Sequence, residues 1–120
     1  LIDPPFDTKN EFSRLVESVG TALARIPSSF FAIWYPLTER SLVYLFFYEL
    51  LTFKLPPSLS LEMMIVDPGH ALKMKGCGLV VINPPWEIDR ELGTMNAWLA
   101  EVLAQAPGGR AGLRWLVKED

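Results

Sequence analysis

Apolar residues recur along this chain with two different periods, and the changes of period mark out its elements. Phe12, Leu15, Val16, Val19, Leu23 and Ile26 fall three or four apart, which places them on one stripe of a helix. A helix is therefore predicted over 11–26, with Thr8 or Asn10 as its cap and Pro27-Ser28-Ser29 as its end. Phe30-Phe31-Ala32-Ile33-Trp34-Tyr35 is unbroken and of strand length, a buried strand that Pro36 closes. A second helix is predicted over 38–51, with Thr38 as cap and Glu39 in its first turn. Its apolar residues lie on more than one face, so it is either deeply buried or covered by something outside the chain. After Pro56-Pro57-Ser58, residues 59–66 alternate loosely as a strand and stop at the turn signal Asp67-Pro68-Gly69. A short apolar strand over 78–82 runs into Asn83-Pro84-Pro85. A third helix over 87–105 has Ile88, Leu92, Met95, Leu99, Val102 and Leu103 as its inner stripe. Pro107-Gly108-Gly109 breaks it, and 112–117 is the last strand.

With a strand at the opening Leu1-Ile2, the order is β-α-β-α-β-β-α-β. Strands alternating with helices argue an α/β fold with a parallel sheet. The two middle strands are joined by a loop with no room for a crossover helix, which argues one antiparallel strand late in that sheet. Nothing divides residues 1–120 into more than one domain, and there is no internal repeat longer than the echo of Pro4-Pro5-Phe6 in Pro84-Pro85-Trp86.

Composition narrows the function classes. Half of the 120 residues are hydrophobic, enough for a core, and the net charge of −3 carries no global basic field. The single cysteine, Cys77, excludes an internal disulfide and fits a reducing compartment. With His70 the only histidine, neither a histidine-based metal cluster nor a Ser-His-Asp triad has its parts. The apolar run over 42–53 is too short, and too interrupted by Tyr44, Tyr48 and Glu49, to span a bilayer core of about 30 Å. No signal-peptide pattern is present. The chain opens inside a strand without an initiator methionine, which reads as a fragment.

The chemistry concentrates at Ile2-Asp3-Pro4-Pro5-Phe6. Each proline fixes its own φ and drives its predecessor into extended geometry, so Asp3 and Pro4 form a stiff step out of the strand. The Asp3 carboxylate and the Pro4 carbonyl can then accept the two N–H groups of one exocyclic amine. Such a grip draws the nitrogen toward tetrahedral geometry and frees its lone pair, while the Phe6 ring offers a face to an extruded base. The competing reading is an ordinary turn in which Asp3 caps the next helix.

Four blocks resemble one family. Ile2-Asp3-Pro4-Pro5-Phe6-Asp7, Ala32-Ile33-Trp34-Tyr35-Pro36, Gly78-Leu79-Val80-Val81-Ile82-Asn83-Pro84-Pro85-Trp86 and Trp115-Leu116-Val117 stand in the order found in the 23S rRNA adenine-N6 methyltransferase J family. An older description of that family is of proteins for the use of external DNA. The first block is similar to the [D/N]PP[Y/F/W] signature of amino-methyltransferases that use S-adenosylmethionine. The resemblance implies the C-terminal part of a Rossmann-like sheet, with helices on both faces and a late antiparallel strand. The opening motif would end the fourth strand, and the cofactor's glycine-rich turn and ribose-binding acid would lie upstream, so the fragment alone is expected to be inactive. The cofactor implied is S-adenosyl-L-methionine and the partner 23S ribosomal RNA, in a cytoplasmic, monomeric protein without metal or membrane. Asp3 and Pro4 would be catalytic and border the cofactor; Pro5 and Phe6 would bind substrate. Trp34 or Tyr35 would line the base pocket, with a buried aromatic pair as the competing reading. Phe6 departs from the tyrosine common in the family, and Asp7 from the glutamate. Losing a hydroxyl leaves the reaction type intact, whereas the shorter Asp7 puts any orienting role in doubt.

Asn83-Pro84-Pro85-Trp86 is a rival for the catalytic role, since an Asn carbonyl also accepts from an amine. Position favours Asp3: no cofactor turn precedes Asn83, and too few elements follow it to finish a sheet. Trp86 then reads as a core or rim aromatic and His70 as a surface residue. Lys73, Lys75, Arg110 and Arg114 could touch phosphate, although scattered cations are more often only solvated. A DNA adenine-N6 methyltransferase and a non-catalytic DNA-binding or uptake-related module are the alternative functions.

Overall fold

Seven elements follow one another in the expected order: α1 (Glu11–Arg25), β1 (Phe31–Leu37), α2 (Arg40–Leu51), β2 (Ser58–Met64), β3 (Gly76–Ile82), α3 (Ile88–Leu103) and β4 (Arg110–Val117). The computed structural model describes residues 1–6 and 10–119, so the Thr8 cap and the Asp7 position lie outside the described residues. The four strands form one sheet in the order β1-β3-β2-β4, and every pair is antiparallel. Among the described residues the only parallel pairing is the bridge between Ile2 and Ile33, which adds the opening segment beside β1.

This corrects the expectation of a parallel sheet with one reversed strand. β1 and β2 do run in the same direction across α2, and β3 and β4 do so across α3, as crossover connections require. The two units interleave, however. β3 lies between β1 and β2, and β2 lies between β3 and β4. Each crossover skips one position, so no two like-directed named strands are neighbours.

The sheet is covered on both faces. Alternation along β1 turns Ile33, Tyr35 and Leu37 to one side, where Val80 and Ile82 of β3 join them. Leu15, Val16, Val19 and Leu23 of α1 and Val43, Phe46, Phe47 and Leu50 of α2 complete that core. Leu59 and Leu61 of β2 and Val81 of β3 face the other way, under α3 and beside Leu113 and Trp115.

Three local expectations are corrected. The strand after α1 continues through Pro36 to Leu37. The reason is directional: Trp34 N–H donates to the Ile2 carbonyl at 2.9 Å, so even-numbered amides of β1 point toward the opening segment. Pro36 has its missing N–H on that side, beyond the segment's end, where a strand tolerates proline. Thr38 does not cap α2. Glu39 stands at the N-cap in extended geometry, and no side chain makes a capping bond. Asn10 does occupy the N-cap of α1, likewise without a side-chain bond.

The third correction concerns the phase of α3. Its buried residues are Asn96 and Ala100, whereas Met95, Val102 and Leu103 of the predicted inner stripe are exposed. Asn96 Nδ2 donates to the Glu62 carbonyl at 2.9 Å and the Gly112 carbonyl at 3.3 Å. These residues are register partners on β2 and β4, so one amide clamps the helix across two strands. A satisfied polar side chain costs little to bury, and the helix turns its polar Asn inward while Met95 and Trp98 face solvent.

Candidate active site

The opening motif leaves the sheet beside β1. Ile2 N–H donates to the Ala32 carbonyl at 2.8 Å and the Ile2 carbonyl accepts from Trp34, which anchors Ile2 on both sides of its bridge. Asp3 is the next residue, and the two prolines carry the chain away from the sheet. Asp3 is exposed, and among the described residues its carboxylate has no hydrogen bond or ion pair. No described donor reaches the Pro4 carbonyl. The two acceptors that an amine would need are thus unclaimed among the described residues.

Phe6 adopts φ 51°, in the left-handed region. For a bulky side chain that is a strained conformation, costing about 1–3 kcal/mol, and strain of this kind gathers at functional sites. Packing holds it: the Phe6 ring lies 4.8 Å from Phe12 and 6.1 Å from Trp34, centroid to centroid. Phe12 in turn rests 4.9 Å from Phe46 at the centre of the core. A chain of rings therefore runs from the core to the motif.

Trp34 and Tyr35 separate across the sheet, since neighbouring strand residues point to opposite faces. Trp34 is half-buried beside Phe6. Tyr35 is fully buried, edge-on to Phe46 and Phe47, and its ring occupies the space where a Cβ on Gly78 would stand. This is the buried placement that the competing reading of the pair describes for Tyr35. Its hydroxyl has Ser60 and Glu62 as polar neighbours, yet neither closes a hydrogen bond to it. Burial, and next the Glu62 charge, raise its pKa well above the ordinary 10.0. The neutral phenol is therefore favoured by the fold; that contribution is whole below pH 10.0 and is lost as pH rises further. Tyr35→Phe is expected to keep neutral-pH stability within about 1 kcal/mol of wild type. Its advantage should grow above pH 10.0 in denaturation titrations; an unchanged difference between the two proteins across that range would refute this account.

The rival motif sits nearer the other end of the strands. Register places Ile82 beside Phe31 at the start of β1, whereas Asp3 follows the bridge between Ile2 and Ile33, level with the middle of β1. Asn83 has φ 54°, and its Nδ2 donates to the Pro27 carbonyl at 2.9 Å and the Ser29 carbonyl at 2.7 Å. Its backbone N–H also donates to the Pro57 carbonyl at 2.9 Å. Two side-chain bonds to one loop and a backbone bond to another leave Asn83 tying this end of the sheet together. Asn83→Ala is expected to cost about 1–3 kcal/mol of stability, read as a lower denaturation midpoint; a cost near zero would remove it from that role. Trp86 beside it is exposed.

The cations expected to touch phosphate divide. Lys73 is solvated in the loop before β3, and the Arg114 guanidinium lies 5.9 Å from the centre of the Phe47 ring. Lys75 and Arg110 line one cleft of about 370 Å³ with Arg40, Leu37 and Met64. Arg40 escaped the sequence reading, because nothing in a lone arginine near a helix start shows its partner 22 residues away. That partner is Glu62, at 2.5 Å, in the only ion pair among the described residues. His70 is exposed and its Nδ1 accepts the Leu72 N–H at 3.1 Å. Cys77 is free and half-buried in β3. Among the described residues there is no group of three potential metal ligands, and no helix long and apolar enough to cross a membrane.

The whole arrangement has known counterparts. The crystal structure of a protein from Legionella pneumophila (str. Philadelphia 1) superposes with a TM-score of 0.83 at 21% identity, over 94% of this chain and 41% of that one. Ribosomal RNA large subunit methyltransferase J of Escherichia coli (strain K12) is 28% identical over 119 residues, 99% of this chain and 42% of the relative. The protein of the same name from Haemophilus influenzae is 27% identical over the same share. The chain thus spans about two-fifths of the relatives it matches. A family model described as "Ribosomal RNA large subunit methyltransferase D, RlmJ" matches residues 1–117, and with the Asp3 motif, the Trp34 block and the Asn83 block all inside that match, this chain belongs to the RlmJ family.

Proposed function

We propose that this chain is the substrate-side part of a cytoplasmic, S-adenosylmethionine-dependent methyltransferase that modifies the N6 amine of a flipped-out adenine in 23S ribosomal RNA. The observation that carries this reading is the bridge at Ile2 followed by Asp3 and Pro4, whose acceptors have no partner among the described residues, and by the strained aromatic Phe6. In this reading the sheet is the C-terminal part of a Rossmann-like domain. The family membership and the names of the relatives support the substrate class.

The residues present fit one side of the cofactor's site. Asp3 and Pro4 would border the transferred methyl group. The chain's one Gly-x-Gly, Gly76-Cys77-Gly78, lies inside β3, where a Cβ on Gly76 would stand 2.0 Å from the Met63 carbonyl oxygen. Those glycines serve strand packing, so the contacts to the cofactor's nucleoside and carboxylate fall to residues outside this chain. When bound, the cofactor supplies an electrophilic methyl group on sulfur. Asp3 and the Pro4 carbonyl accept the two N–H bonds of the amine and hold its lone pair toward that methyl. The Asp3 carboxylate offsets the positive charge that grows on nitrogen, an electrostatic contribution present before the reaction begins. Phe6 and Trp34 form the apolar wall against which the base rests, and Pro5 stiffens the step between acceptor and wall. Tyr35 acts through the core beneath them.

The test is methylation of unmodified 23S ribosomal RNA by the full-length protein, with the product nucleoside identified. Methyl transfer to adenine N6 is expected; transfer to DNA alone would replace the substrate, and no transfer to either would overturn the reading. Phe6→Ala is expected to weaken RNA binding by about 1–3 kcal/mol, the scale of one lost stacking contact. Filter binding of the same RNA measures it, and undiminished affinity would remove Phe6 from the wall.

A further inference from the structure

The sheet has one edge at which several chain segments end together. β1 and β2 run in the same direction as the opening segment, so their carboxyl ends lie at the end of the sheet toward which that segment runs, with Asp3 one residue past the bridge to Ile33 in the middle of β1. β3 and β4 begin there. The cleft of about 370 Å³ is built from those ends: Leu37 closes β1, Met64 closes β2, Lys75 precedes β3 and Arg110 opens β4. Backbone bonds set Lys75 firmly, its N–H donating to the Leu37 carbonyl and its carbonyl accepting from Ile65, both at 2.9 Å.

Charge distinguishes this cleft from the rest of the molecule. The chain carries a net charge of −3 with only 11 lysines and arginines, yet three of them line this cleft and no acid does. Arg40 is neutralised by Glu62 and lies 5.8 Å from the Tyr44 ring centre, so it walls the cleft as a fixed plane. Lys75 and Arg110 have no ion pair among the described residues. Neighbouring strands are about 4.8 Å apart, so β4 lies about 19 Å across the sheet from the opening segment, the reach of a few nucleotides.

We propose that this cleft seats the phosphodiester backbone of the substrate RNA, with Lys75 and Arg110 as its phosphate ligands. The proposal rests on the reading of the Asp3 loop as the catalytic motif: the strand that presents the adenine there continues along the same sheet edge into the cleft. Two unpaired cations set in a walled groove match a backbone that repeats its charge, and contacts of this kind fix register without reading sequence.

Counterion release supplies a specific readout. Each phosphate contact to a single strand adds about 0.7 to the slope of log affinity against log salt. In the full-length protein, Lys75→Gln with Arg110→Gln is expected to lower the slope for single-stranded RNA by about 1.4 and to weaken binding most at low salt. A DNA strand of the same length should show the same change in slope, since phosphate is common to both. Lys54→Gln, exposed beyond the far end of α2, serves as the control and should leave the slope unchanged. Lys75→Arg with Arg110→Lys should restore it, which separates lost charge from lost folding. An unchanged slope in the glutamine variant, a slope lowered equally by Lys54→Gln, or failure of the charge-preserving pair to restore it would each overturn the cleft. Methylation separates the two readings. A protein that methylates RNA with a slope indifferent to Lys75 and Arg110 loses only the cleft. One whose slope depends on them, but which methylates nothing, keeps the cleft and loses the catalytic reading.

Discussion

Asp3→Ala in the full-length protein is expected to lower the rate of methyl transfer by at least about a hundredfold, the scale for removing one preorganised electrostatic partner. The carboxylate has no structural employment to lose: it is exposed and makes no hydrogen bond among the described residues. Folding should therefore be untouched, and cofactor affinity should change little. Asp3→Asn separates the two tasks assigned to this side chain. It keeps an acceptor for the amine and removes the charge, so its rate should fall between the wild type and the alanine variant. Single-turnover methylation of unmodified ribosomal RNA, at saturating cofactor and corrected for folded fraction, measures both. A near-wild-type rate for Asp3→Ala beside a folded but inactive Asn83→Ala would move the catalytic assignment to the other motif.

Phe46→Ala is the substitution expected to cost the most stability, about 3–5 kcal/mol. Phe46 is fully buried, with ring centroids of Phe12, Tyr35 and Phe47 at 4.9, 5.7 and 5.9 Å. The space it leaves is bounded by two helices and a sheet, none of which can collapse into it without breaking its own hydrogen bonds. Tyr48→Ala, two residues on and 68% exposed, is expected to change stability by no more than about 0.5 kcal/mol. Urea denaturation compares the two, and a shift in midpoint at constant slope identifies the loss as stability. Equal effects at 46 and 48 would contradict the assignment of the core face of α2. The same substitution withdraws support from Phe12, and through it from the strained Phe6, so RNA binding should weaken even in the folded fraction.

The exposed apolar residues of α2, Tyr44, Leu45, Tyr48 and Leu51, return to the question that its sequence raised. One face of that helix fills the core, and the other is exposed in this chain. The apolar pattern alone could not say which residues went inward. A helix apolar all round has no preferred side until the sheet beneath it supplies one.

What the sequence by itself determined is whatever depends on neighbours in the chain. The stripe of α1 was legible because its period is helical and its opposite face is polar. The β2–β3 pair was legible because a connection too short for a helix can only turn back. The stiff exit from the strand at Asp3 was legible because proline acts on its own φ and on the residue before it. Tertiary structure decided the rest. Interleaving of the two crossovers fixed the strand order, and no local pattern encodes which gap a strand fills. Asn96 set the phase of α3 by finding two carbonyls on two strands, partners far away in the sequence. Tyr35 and Trp34, adjacent in one motif, went to opposite faces by strand alternation. Lys75, Arg110 and Arg40 came together because four strand ends meet at one edge; their sequence separations, 35 and more residues, left them looking like scattered surface charge.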